Sequence, residues 1–143
     1  MDHAAVIRKL IERTASDFVS YFQGTPSSAA AERVIKAALT DARSLSGDRQ
    51  LVESMLPDTE DDGRWESSYA LNTGAMVLSL VDYLQTRDED HYRDAVALFF
   101  DSVDFKVHQE LESRGVTTPS EEEIAAHLFV EERAWFASIE AGA

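Results

Sequence analysis

The chain is predicted to be an all-α, single-domain antiparallel bundle of five long helices plus one short one. Three observations lead there. Apolar residues recur at helical spacing almost from end to end, start and stop signals divide that pattern into segments, and no alternating run bounded by turn formers suggests a strand. A length of 143 residues, 44% apolar and 28% charged, suits one globular domain over 1–143.

The first helix is expected at about residues 2–22, where Ile7, Leu10, Ile11, Thr14, Phe18, Tyr21 and Phe22 form one stripe. Gly24 suits its C-terminal cap, and Thr25-Pro26 opens a second helix as cap and first residue. That helix, about 27–45, carries Ala31, Val34, Ile35, Ala38, Ala42 and Leu45 on one face, small enough for a neighbour to approach closely. Ser46-Gly47 interrupts it, and residues 48–55 form the short helix. Residues 57–63 (Pro-Asp-Thr-Glu-Asp-Asp-Gly) are a loop of turn formers and carboxylates.

From about residue 66 to 85 runs the most apolar helix, with Tyr69, Leu71, Met76, Val77, Leu80, Val81 and Leu84 spread around more than one face. A helix apolar on several sides belongs at the centre. Thr86-Arg87-Asp88-Glu89 fits a capping box opening a long helix to about Ser113, with Tyr92, Val96, Phe99, Val103 and Leu111 inward and Asp94, Asp101 and Asp104 on another face. Arg114-Gly115 ends it. Thr118-Pro119-Ser120-Glu121 repeats the start signal for a last helix, about 120–140, burying Ile124, Leu128, Phe129, Trp135 or Phe136, and Ile139.

Charge is distributed unevenly. Residues 1–50 hold six acids and seven bases, and residues 51–143 hold 21 acids and six bases, for a total of −14. Such a field repels nucleic acid and anionic membranes, and attracts a basic protein partner. It also serves solubility, which would explain the acidity without any partner. The longest apolar stretch, residues 75–84, is broken by Ser79, Asp82 and Tyr83 and is too short to span a membrane. Without cysteine there is no disulfide framework, and residues 1–9 lack a signal-peptide pattern, so a cytoplasmic location is expected.

Catalytic and cofactor motifs do not emerge. The four histidines are His3, His91, His108 and His127. A di-metal bundle needs Glu-x-x-His on two helices, whereas here Asp88 precedes His91 at a helix start, and Asp104/His108 and Glu123/His127 are four apart. Neither metal nor other cofactor is expected. A Gly-x-Ser-x-Gly elbow and a glycine-rich phosphate cradle are both missing, so no enzyme is predicted.

Three acidic runs stand out. Asp88, Glu89 and Asp90, and Glu121, Glu122 and Glu123, fall in first helical turns, where carboxylates complement the macrodipole. The loop run Asp58, Glu60, Asp61 and Asp62 has no such reason, and Trp65 follows it. Trp65 is either a core anchor under the loop or an aromatic hot spot facing a basic partner. The candidate partner-binding residues are therefore Asp58, Glu60, Asp61, Asp62, Trp65, Asp94, Asp101 and Asp104.

The segment Leu56-Pro57-Asp58, the acidic loop with Asp61-Asp62, Tyr69-Ala70 and the apolar helix through Leu80 resembles the YjaG-like family of uncharacterised bacterial helical proteins. The order that follows is similar: His91-Tyr92 to Val107, Glu110-Leu111, then Glu131-Glu132, Trp135 and Phe136. The resemblance covers about residues 51–139; it implies an all-helical fold and no site. The function expected from the whole sequence is an acidic inhibitory protein, foremost an immunity protein that neutralises a bacterial toxin effector domain by direct binding. The alternatives are a housekeeping homo-oligomer whose acidity only solubilises it, and an enzyme with an unrecognised carboxylate site.

Overall fold

The computed structural model describes residues 1–58, 64–116, 118, 120–126 and 129–143, except the side chains of 124–126 and 129. Its α-helices are α1 (His3–Phe22), α2 (Ser28–Thr40), α3 (Arg49–Met55), α4 (Trp65–Thr86), α5 (Glu89–Ser113), α6 (Glu121–Ala126) and α7 (Phe129–Gly142). A 3₁₀ segment, Ala42–Asp48, leads into α3. The described residues contain no strand, and the fold is all-α. No helix among them is long and apolar enough to cross a membrane.

α4 is the centre. Thirteen of its 22 residues are buried, among them Tyr69, Ala70, Met76, Val77, Leu80 and Val81. α1 runs antiparallel along one side: His3 meets Tyr83, and the Thr73 hydroxyl donates to the Thr14 carbonyl at 3.3 Å. α5 runs antiparallel along another side, where Tyr69 donates to Gln109 at 2.6 Å and Asn72 to Ser102 at 3.0 Å. Gly74 permits the closest approach. A Cβ there would lie 3.1 Å from the ring of fully buried Phe18 and would collide with a methyl of Leu56.

α7 closes the bundle antiparallel to both α5 and α1. Trp135 packs on Phe99 and Phe136 on Phe100, and Tyr92 donates to Glu140 at 2.5 Å. Arg13 of α1 grips Glu132 through Nε and Nη2, each at 2.9 Å, and lies 4.1 Å above the Trp135 ring.

The helix ends show where local signals act. Gly24 (φ +80°) follows the end of α1 as expected, and Gly115 (φ +86°) follows α5. At the latter, Val116 N–H bonds the Leu111 carbonyl at 2.9 Å and Gly115 N–H that of Glu112 at 3.0 Å, a Schellman closure. Each of the three start signals acts two residues later than expected. Thr25 turns its hydroxyl back to the Phe22 carbonyl at 2.6 Å, so α2 begins only at Ser28. Asp88, not Thr86, caps α5 by accepting from Asp90 N–H at 2.9 Å, while Thr86 ends the preceding helix. Ser120 and Glu123 bond each other's N–H, so the last capping box lies there and not at Thr118 and Glu121. α2 ends at Thr40, not near residue 45. Extended Asp41 (φ −154°) breaks it, yet Ala42 and Leu45 still reach the core from the 3₁₀ segment. The expected last helix is described as α6 and α7, with 127 and 128 between them outside the described residues, as is His127. The expected burial of Ile124, Leu128 and Phe129 also lies outside the described side chains. Trp135, Phe136 and Ile139 all pack half-buried against the core.

Gly74→Val should destabilise the fold by about 1–3 kcal/mol, the usual cost of overpacking. Urea denaturation measures it; an unchanged midpoint would mean that Phe18 and Leu56 yield without cost.

Candidate functional site: an acidic groove between α4 and α5

A carboxylate on a helix buried nearly all round needs a partner, and Asp82 near the end of α4 has one in Arg49, the first residue of α3. Arg49 Nε and Nη2 donate to the two Asp82 oxygens, each at 2.8 Å, and Nη1 pairs with Glu53 one turn on. The Asp82 carboxyl is held below its ordinary range by the Arg49 hydrogen bonds, against the opposing effect of burial. This forked pair fixes α3 against α4 and forms one end of an open groove of about 460 Å³.

The opposite wall is α5. Asp94, Leu98, Asp101 and Phe105 follow at steps of four, three and four, which places them on one face. Asp94 and Asp101 line the groove with Asp82 and His91, over a floor that includes Leu78 and Leu98. Further along the same face, the ring of half-buried Trp65 packs on Phe105 with centroids 5.8 Å apart. The Asp101 carboxyl is raised, first by partial burial and then by repulsion from Asp104. Repulsion of this kind is relieved by an incoming cation.

Of the residues expected from sequence, Asp94, Asp101 and Trp65 therefore share one face. Asp104 lies further round α5 and stands 3.5 Å from His108. Asp58 is exposed just after α3, while Glu60, Asp61 and Asp62 lie outside the described residues. Arg49, Asp82 and His91 were not among the expected partner-binding residues. The sequence signal for them was Asp82 itself, a single charge in the body of the most apolar helix. His3 stacks on Tyr92 at 4.2 Å, and among the described residues no three His, Asp or Glu side chains are grouped to hold a metal ion.

Neither the protein-family models nor the curated proteins nor the solved structures contain a match to this chain.

The two aspartates should titrate on opposite sides of the ordinary carboxylate range. With its folded pKa raised, Asp101 contributes stability at pH below its unfolded value and loses that contribution as pH rises through the folded one. Asp82, with its folded pKa lowered, contributes stability above its unfolded value and loses it as pH falls through the folded one. Asp101→Asn should thus raise the melting temperature at neutral pH and leave it unchanged at acid pH. Carboxyl ¹³C titration of both residues provides the check.

Proposed function

We propose that this chain is an acidic binding protein, specifically an immunity protein that neutralises a cognate bacterial toxin by direct contact. A basic segment of the toxin's effector domain docks on the α5 face carrying Asp94, Leu98, Asp101 and Phe105. The observation that supports this reading most is the make-up of that face: two carboxylates over an apolar floor, ended by a half-buried tryptophan on Phe105. Carboxylates steer a basic partner during encounter, and an aromatic anchor holds it after docking. The excess of 21 acids over six bases in residues 51–143 extends that steering beyond the groove. The resemblance of residues 51–139 to YjaG-like proteins fits a small helical domain and adds nothing about the partner.

The test is the kinetics of binding to a basic partner recovered from the producing cell. Association should slow as salt rises, because the Debye length is only about 10 Å at 0.1 M. Asp94→Asn with Asp101→Asn should slow association severalfold, and conversion of Asp58, Glu60, Asp61 and Asp62 to amides should slow it further if the loop joins the interface. Trp65→Ala should speed dissociation about thirtyfold, the equivalent of an interface hot spot of about 2 kcal/mol. An association rate indifferent to salt and to these substitutions would reduce the acidity to solvation.

A further inference from the structure

A second concave site lies on the other side of α5, between α1 and α7, and its lining holds two cations and one carboxylate. It is a cleft of about 270 Å³ with buried Phe99 and Val103 in its wall and Arg13, Lys106 and Glu132 around it. Thr14 and Ser102, both buried, also line it. Thr14 spends its proton on the Leu10 carbonyl at 3.2 Å. Ser102 accepts from Asn72, and among the described residues no acceptor stands opposite its own O–H.

Both cations retain donors. Arg13 uses Nε and Nη2 on Glu132, leaving Nη1 without an acceptor among the described residues. Lys106 gives one N–H to Asp17 at 2.8 Å and holds its Nζ 5.1 Å from the centroid of the Tyr69 ring, and an ammonium carries three N–H groups. The cleft's lining thus includes a guanidinium and an ammonium with donors to spare, beside an apolar wall. Its volume lies just below the ~300–1,000 Å³ of drug-sized sites, so its occupant is small.

We infer that this cleft binds a small monocarboxylate with a compact apolar body. The carboxylate accepts from Arg13 Nη1 and Lys106 Nζ, and the body packs on Phe99 and Val103. Arg is suited to the first contact because its planar fork serves two acceptors at once. Glu132 and Asp17 hold the cations in place and limit affinity by competing for them. The site is independent of the acidic groove and of any toxin.

Phenylacetate is the probe, followed by calorimetry and ligand-detected NMR, with phenylacetamide as its neutral isostere. The expected result is saturable one-to-one binding, weakened about tenfold or more in the amide and in Lys106→Met. Asp17→Asn should tighten binding, since it frees the ammonium; a general loss of folding could not produce that gain. Val103→Trp should abolish binding by filling the cleft, with circular dichroism to verify the fold. The inference is overturned by no saturable binding up to about 10 mM, by equal binding of the amide, or by binding unchanged in both Lys106→Met and Asp17→Asn.

Discussion

The architecture depends on covering α4. A helix of 22 residues is about 33 Å long, and one that is apolar on several sides gains from burial only when neighbours surround it. α1 and α5 supply two antiparallel neighbours, and α2, the 3₁₀ segment and α3 contribute to the remaining cover. Gly74 lets Phe18 press close at the α1 contact. Three polar residues of α4 are then satisfied from other elements. Asn72 finds Ser102, Thr73 finds the Thr14 carbonyl, and Asp82 finds Arg49. Each bond links α4 to a different element, so polar satisfaction also fixes register. Among the described residues no buried side-chain nitrogen or oxygen lacks a partner.

The same arrangement divides the surface. α5 is packed against α4, and its remaining flanks face two different environments. One flank carries Asp94 and Asp101 toward the groove beside Arg49. The other carries Phe99, Val103 and Lys106 toward the cleft under α7. The uneven charge along the chain is partly resolved by folding, because Arg13 and Arg49 from the balanced N-terminal third reach Glu132 and Asp82 in the acidic remainder. These inter-helix pairs are partly exposed, and pairs of that kind contribute little to stability. Their larger effect is local. They place an arginine–carboxylate pair beside the cleft and another at one end of the groove that Asp94 and Asp101 line.

Periodicity was enough to place α1, α4 and α5 nearly to the residue, because a long apolar stripe leaves few alternatives. The caps were less legible. Thr25, Thr86 and Thr118 all resemble N-caps, but a threonine hydroxyl also bonds back to the preceding turn, and Thr25 and Thr86 do so. Aspartate and serine take over as caps at Asp88 and Ser120. The break at Asp41 was hidden because a 3₁₀ turn still brings Ala42 and Leu45 inward, so the apolar spacing continues through it.

The candidate groove was half legible, for a physical reason. Helical spacing shows that Asp94 and Asp101 share a face, since that follows from geometry within one helix. It cannot show what lies opposite, which depends on how α3 and α4 pack. Counting carboxylates gives no help, because the acidic runs at Asp88 and Glu121 are accounted for by the first turns they occupy. A lone charge in an apolar helix is more informative: even partly buried, the Asp82 carboxylate is favoured by a cation from another element, so its presence points to one. Arg49 is that cation. A sequence reading that asks each isolated charge for its partner would therefore reach one end of the groove, where one that follows the density of acidic residues is led instead to the loop before Trp65.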